Sequence, residues 1–290
     1  MPPPEPLTTG LEITWRLGCF LAIGLLMAIW ELWHPFRQLQ VGRGRRWFCN
    51  LGLLALNTFC VRALAPLSAV AAAQRAQTHG WGLLAAWHGS PLLEAVIAIL
   101  ALDLAIYLQH RLFHAVPVLW RLHQVHHADL DLDVTTGTRF HLLEILLSAL
   151  FKVVVVIGLG ASPLAVVVFE ILLNGSAMFN HANVELPARL EHLLRWCLVT
   201  PGMHRIHHSA QPADWNTNYG FQMSWWDRLL NTYRARPVGG EATLQIGLPE
   251  PRDPHVVDRL AGALWLPFSD NPSPRSPGDT TLQGNNRHDS

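Results

Sequence analysis

The chain is poor in charge. Asp, Glu, Lys and Arg make up 14% of its 290 residues, and Lys152 is the one lysine, whereas charged residues fill about a quarter of an ordinary soluble domain. Half of the residues are hydrophobic and the mean hydropathy is +0.20, so the composition excludes a typical soluble protein and implies one embedded in a membrane. Basic and acidic residues balance at 21 each, which leaves no overall field to attract nucleic acid, and no nucleic-acid partner is expected. Cysteine is also scarce. Cys19, Cys49, Cys60 and Cys197 form no Cys-x-x-Cys pair, and three of them lie in apolar segments, a pattern of buried thiols rather than of disulfides or a thiolate metal site. Other signatures are missing too. There is no glycine fingerprint of a dinucleotide site, no Cys-x-x-Cys-His for attached haem, no His-Glu-x-x-His of a zinc protease and no Glu-x-x-His pair of the di-iron carboxylate bundles.

What is present is apolar sequence in span-sized blocks. Five segments approach the ~20 residues needed to cross a bilayer core: 11–33, 47–73, 92–108, 142–159 and 163–179. The last two are short and are joined by a turn at Gly158 to Pro163, so a partly re-entrant pair is an alternative to two spans. The first is expected to remain as an anchor rather than to be cleaved, because no basic segment precedes its long apolar run. Arginines set the orientation. Arg37, Arg43, Arg45 and Arg46 follow the first segment, whereas the stretch 74–91 has only Arg75 and the turn at 158–163 has none. The N-terminus is therefore expected outside, with 37–46, 109–141 and everything beyond 180 in the cytoplasm, in what is expected to be a bacterial inner membrane. Residues 269–290 are rich in Ser, Pro, Asn, Gly and Asp and are expected to be disordered. Residues 236–268 read as an irregular cytoplasmic segment that includes a short amphipathic stretch.

Against this oily background, residues 110–127, HRLFHAVPVLWRLHQVHH, hold five histidines. On a helix, His110 and His114 share a face, as do His123, His126 and His127. Pro117 between them disfavours one continuous helix and allows the second face to fold back. The spacing His-x-x-His-His returns at His204, His207 and His208. His141 and His181 lie about equally far from the turn near Gly160, close to 30 Å along a helix at 1.5 Å per residue, and should reach the same membrane level. Single histidines such as His34, His79, His88, His192, His255 and His288 are expected to be interfacial or hydrogen-bonded. Eight in three phased clusters are different, because crowded neutral imidazoles each need a partner and protonated ones repel. A shared metal removes both difficulties, and this number of ligands implies two ions. Imidazole suits iron, zinc, copper and nickel alike.

The three clusters, His110-RLF-His114, His123-QV-His126-His127 and His204-RI-His207-His208, resemble the fatty acid hydroxylase and sterol desaturase superfamily of membrane di-iron oxygenases. Flanking segments extend the resemblance over about residues 90–235: TGTRFHLLE at 136–144, NHANVELP at 180–187 and HHSAQPADWNTNYGFQMSWWDRLLNTY at 207–233. The resemblance implies two iron ions, with O2 as co-substrate, ligated by His110, His114, His123, His126, His127, His204, His207 and His208, with His181 as a ninth. His141 matches a family histidine that proline commonly follows, where this chain has Leu142, and is kept as a residue beside the site or in a substrate cavity. Asn218 and Tyr219 look like near-site residues, while Trp225 and Trp226 read as interfacial anchors. The implied fold is an all-α, multi-span membrane helical bundle of about four to five spans, with a cytoplasmic helical cap carrying the di-metal site. Along the chain this divides into N-terminal spans at 1–90 and a hydroxylase-like region at 91–235.

The implied activity is O2-dependent hydroxylation or desaturation of a lipid such as a fatty acyl, sterol-like or alkyl-ether lipid. The substrate would enter from the bilayer, and a separate protein would donate the electrons, since the chain carries no recognisable redox motif of its own. Carboxylates are expected to orient the imidazoles, with Asp103, Asp129, Asp131, Asp133, Glu144, Glu170, Asp214 and Asp227 as candidates. Asp103 and Glu170 draw most interest, because charge inside a span usually faces a functional interior. The alternatives are a non-catalytic membrane metal-binding or metal-transport protein and a bis-histidine haem cytochrome. Transport would place ligands deep within spans, whereas these cluster at span ends, and the adjacent His pairs suit non-haem ligation.

Overall fold

The computed structural model describes residues 9–64 and 68–269, without the side chains of Thr9 and Leu11. Most of the tail expected to be disordered, together with His288, lies outside the described residues. The protein is helical, with no strand among the described residues. Four helices are long and apolar enough to cross a membrane: α1 (Thr9–Trp33, apolar from Glu12), α4 (Pro91–Ala115), α6 (Leu142–Leu159) and α7 (Pro163–His181). They expose Leu21, Leu25, Leu150, Val154 and Leu164 outward, as a lipid-facing surface requires.

The segment expected to form the second span differs from that expectation. Residues 47–73 are divided between α2 (Arg43–Ala63) and α3 (Ala69–His79), and neither helix is long and apolar enough to span alone. The reason lies in what α2 buries. Arg46, Cys49, Asn50, Leu53 and Asn57 recur at helical spacing on its inner face, while Phe48 and Phe59 point outward at about three-quarters exposure. Its polar groups are turned into protein, where they find partners. The α3 helix carries a stripe of small residues, Ala69, Ala72, Ala73 and Ala76, which lets it pack closely against both α6 and α7. It ends at Gly80, and the backbone N–H groups of Leu83 and Leu84 donate to the carbonyls of Gly158 and Leu159. Together α2 and α3 therefore lead from the histidine-bearing end of the bundle to the far end, so the alternation of ends expected from the sequence survives the break.

The turn at 158–163 is closed by Gly160 in the left-handed region (φ 69°) and by Pro163 at the first position of α7. Because α6 and α7 run in opposite directions from it, His141 and His181 do reach the same end of the bundle. Pro117 opens α5 (Pro117–His127) after a break at Val116, which folds α5 back against α4. At this end of the bundle, α8 (Ala188–Leu194) and α9 (Pro201–His207) follow α7. Residues 246–268 fold over α5 and α2, where Leu248, Val257, Ala263 and Leu266 pack on Cys49, Leu53, Trp120 and Val125.

Asp103 and Glu170, the carboxylates singled out from the sequence as lying within spans, are used for packing. Asp103 accepts from the backbone N–H of Met223 (3.2 Å) and the indole N–H of Trp226 (2.8 Å), tying α4 to Met223 and to the short helix Trp225–Leu229 that follows it. Trp226, read from the sequence as an interfacial anchor, thus ties its segment to α4. Glu170 is held between Lys152 and Arg16, which donates at 2.7 Å. A charge taken out of water is tolerated when it is paired in this way.

Candidate metal centre

Nine histidines converge in two neighbouring groups. His110, His114, His123, His127 and His207 form one, and His126, His181, His204 and His208 the other, with the candidate ligand atoms of each group within 4.8 Å of one another. The two groups touch: the rings of His127 and His208, one from each, stack with centroids 4.5 Å apart. The division refines the shared-face expectation. Each pair spaced i, i+4, namely His110 with His114, His123 with His127 and His204 with His208, falls in one group, while His126 and His207 cross to the other. Each His-x-x-His-His segment thus straddles both centres, because residues three apart diverge on a helix by a fraction of a turn.

The hydrogen bonds set the direction of the free nitrogens. Nδ1 of His110 lies 2.7 Å from the Tyr219 carbonyl, Nδ1 of His207 2.8 Å from that of Thr217, Nδ1 of His126 3.1 Å from that of Arg139, and Nδ1 of His181 2.6 Å from that of Ala177. Nδ1 of His123 lies 2.6 Å from Oε1 of Glu144. A carbonyl or carboxylate oxygen only accepts, so each of these Nδ1 atoms carries the proton and the opposite Nε2 of the neutral ring is a bare lone pair. Yet these lone pairs face one another. Nε2 of His110 is 3.0 Å from that of His123 and 3.1 Å from that of His207, and Nε2 of His181 is 3.1 Å from that of His126. Two acceptors at that distance repel unless a cation lies between them. At the ~2.0–2.1 Å bonds of metal-bound imidazole, two neighbouring ligands at right angles stand about 3 Å apart. His114 and His127 add ring nitrogens that are buried and without partners among the described residues. The donor set therefore fits two cations with an affinity for imidazole.

Burial reinforces this. His126, His127, His204, His207 and His208 are shut away from solvent. Desolvation first and the neighbouring imidazoles second push His126, His127, His204 and His208 well below the ordinary value of 6.5. Burial brings His207 down to about 3. These groups stay neutral in the folded protein, while the unfolded chain takes up protons once the pH drops below about 6.5, so stability is complete above that pH and is lost as pH falls towards His207's value. Protons also compete directly with metal. Bound metal and the thermal unfolding midpoint are accordingly expected to fall together as pH is lowered from about 7 to about 4, measured by metal analysis and thermal denaturation on the same samples. Metal retained in full at the acid end would count against a histidine shell.

Of the eight carboxylates considered from sequence, Glu144 is the one that touches an imidazole of either group. Glu144→Gln keeps the shape but replaces a charged acceptor of the His123 proton by a neutral one, and is expected to lower metal affinity about 10- to 100-fold with little change in fold, read by competition with a chelator. The aspartates serve elsewhere. Arg46 is fully buried and donates to Asp129 (2.9 Å), Asp133 (2.7 Å) and the Asp131 carbonyl (2.9 Å). Burial opposes the charge on Asp129, but Arg46 beside it holds its carboxyl at about 2. Asp131 also accepts from Arg37 and from the backbone N–H groups of Gln40 and Val41. Asp227 accepts from the backbone N–H groups of Tyr219 (2.8 Å) and Gly220 (2.9 Å), which fixes the peptide whose carbonyl meets His110. Asp214 accepts from the backbone N–H of Val238.

Three near-site expectations resolve differently. His141 belongs to neither group: it caps α6, its Nδ1 accepting from the backbone N–H of Leu143 while Nε2 faces the Leu264 carbonyl at 3.3 Å. Tyr219 contributes its carbonyl and a ring packed edge-on against His110, His114 and His207. Asn218 sits in the left-handed region (φ 54°) and donates to the carbonyls of Met203 and Arg234, holding the loop rather than facing the histidines. Of the histidines set aside as single, none of those among the described residues joins either group. Sequence reading missed Arg139, wholly buried, which donates to the carbonyls of Val125 (2.7 Å) and Val257 (2.6 Å) and to Asn50 (2.9 Å) and so places the carbonyl that His126 meets. A lone arginine carries no periodic signal, although a charge so close to two histidine clusters was the available hint.

Residues 95–232 match the family model described as fatty acid hydroxylase. Among curated proteins, the chain is 27% identical over 239 residues to an ornithine lipid hydroxylase of Rhizobium tropici, covering 79% of this chain and 70% of that protein. It is 31% identical over 138 residues to an alkylglycerol monooxygenase of Xenopus tropicalis, covering 47% of this chain and 30% of the relative. A cholesterol 25-hydroxylase of Rattus norvegicus is 27% identical over 165 residues, 54% of either chain. The chain thus spans most of the first relative but only about a third to a half of the other two. No solved structure matches it.

Proposed function

We propose, from the membership of residues 95–232 in the fatty acid hydroxylase and sterol desaturase superfamily, that this protein is a membrane-bound oxygenase that uses O2 and two iron ions to hydroxylate a C–H bond of a membrane lipid. The observation that carries the reading is the pair of histidine groups, each with its candidate ligand atoms within 4.8 Å of one another, at the end of a lipid-facing helical bundle. His110, His114, His123, His127 and His207 would hold one ion and His126, His181, His204 and His208 the other. Bound there, iron supplies the O2 chemistry needed to attack an unactivated C–H bond, and the protein supplies aim and dryness. Glu144 and the carbonyls of Arg139, Ala177, Thr217 and Tyr219 keep the Nδ1 protons in place and the Nε2 atoms free. Leu108, Leu112 and Val118 are apolar and exposed in the same stretch of chain as His110 and His114, and the lipid would enter from the bilayer. Desaturation would draw on the same site.

The relatives that match are lipid hydroxylases and monooxygenases, which supports catalysis over metal storage or transport. A transport route would also need ligands along the spans, whereas these stand together at one end. The electron donor is a separate protein. The metal side is the cytoplasmic one, because Arg37, Arg43, Arg45, Arg111, Arg121, Arg195, Arg228, Arg234 and Arg236 all belong to segments at that end, and the membrane is the bacterial inner membrane.

The test compares lipid extracts of cells with and without the intact gene by mass spectrometry. A lipid species heavier by roughly 16 daltons, or lighter by roughly 2, only where the gene is intact is the expected result, together with about two irons per purified chain. Stoichiometric zinc without iron, or a haem spectrum, would sink the proposal.

A further inference from the structure

Where α1 ends and the chain turns away from the bilayer, a cavity of about 360 Å³ opens among residues 31–43. Leu32 forms part of its wall and is 60% exposed, so the cavity communicates with the lipid-facing side of α1. Glu31, also in the wall, is 1% exposed. Its Oε1 accepts from the backbone N–H groups of Val134 (2.7 Å) and Asn183 (2.8 Å), but its buried Oε2 has no hydrogen-bond partner among the described residues. A buried carboxylate oxygen without a donor is unfavourable and rare in native structures, and a cationic ligand would satisfy it.

The opposite charge lines the same space. Arg37 is engaged by Asp131 at 3.2 Å, but Arg43 has a buried Nε without a partner among the described residues. Arg43 also opens α2, whose N-cap Gly42, another wall residue, provides no side-chain cap. The uncapped positive end of a 21-residue helix and a guanidinium therefore adjoin one cavity.

We propose that this cavity binds the headgroup of a membrane lipid bearing both an ammonium and an acidic group. The ammonium meets Glu31, the acidic group meets Arg43 and the start of α2, and the hydrocarbon chains leave past Leu32 into the bilayer. A purely anionic headgroup would leave Glu31 unsatisfied and repel it, and a purely cationic one would leave Arg43 without a partner. The proposal rests on the reading of the protein as a lipid hydroxylase and narrows its substrate class. Asn183, which binds Glu31, lies two residues beyond His181, so the headgroup wall and one proposed metal ligand belong to the same piece of chain, with the lipid's polar end held at the level of the metal pair.

Full-length protein in detergent micelles, titrated with dilauroyl phosphatidylethanolamine or dilauroyl phosphatidylglycerol and followed by native mass spectrometry, tests this directly. The zwitterionic lipid is expected to bind at least about tenfold more tightly. Glu31→Gln retains an acceptor for Val134 and Asn183 and is expected to abolish that preference, while Arg43→Gln weakens the binding of both lipids. Equal affinity of the two lipids for the unaltered protein, or a preference unchanged in both variants, overturns the proposal. Free phosphoethanolamine that displaces the lipid at equal concentration overturns the assignment to a lipid. Because these readouts are of binding, they stand apart from the comparison of lipid extracts, which tests the hydroxylase reading alone.

Discussion

His126→Ala protein, purified in detergent, is expected to retain less than about a tenth of the wild-type metal and to oxidise no lipid, since ligands that act as a unit fail together. His126 is the one α5 histidine in the second group, and its Nε2 stands 3.1 Å from that of His181. Alanine would leave the Phe140 ring, stacked 4.4 Å from the imidazole, facing a gap. His110→Ala and His207→Ala should behave alike, because those two imidazoles face each other in the first group. Two controls separate loss of ligation from general damage. His34 is exposed and outside both groups, so His34→Ala should be silent. His141→Ala removes a helix cap, with a cost of about 1 kcal/mol, but should keep its metal. Normal turnover by the His126→Ala protein would contradict the ligand assignment.

Arg46→Ala is expected to be the most destabilising substitution outside the histidines, by about 3–5 kcal/mol, because it leaves Asp129 and Asp133 buried with their charge partner gone. The damage would also reach the centre. The stretch from Asp129 to Arg139 joins the α5 histidines to α6, and Arg46 clamps it to α2 through side chains that are entirely buried. Arg46→Lys keeps the charge but not the fork that meets both oxygens of Asp129, and should fall between wild type and alanine. Thermal unfolding in detergent, with metal content measured on the surviving folded fraction, checks both expectations. An unfolding midpoint for Arg46→Ala within experimental error of wild type would show that the cluster contributes nothing.

Much of this was legible in the sequence for a simple reason: periodicity survives folding. The i, i+4 spacing of His110 with His114, and its repetition twice more, announced a shared centre, and Pro117 announced the fold-back that brings α5 to α4. Equal distances from Gly160 placed His141 and His181 at one end. What could not be read was which level a residue's neighbours occupy. His141 reached the right level but turned to cap its own helix. Residues 47–73 were oily enough on average to suggest a single span, and the average hid Asn50 and Asn57, which share a face with Arg46 just before the segment. The arginines of the 37–46 loop looked like orientation signals, yet Arg46 and Arg37 are bound to aspartates that sequence reading had set beside the metal. Pairings between segments some eighty to ninety positions apart leave no local pattern.

The acceptors that hold His110, His126, His181 and His207 are peptide oxygens, and a peptide oxygen is common to every amino acid. Mutational scanning that swaps side chains one at a time would thus register nothing specific at Ala177 or Thr217, though each steers an imidazole. Arg139 and Tyr219 differ, because their side chains are engaged as well, so at those two positions a substitution would disturb more than the path of the main chain.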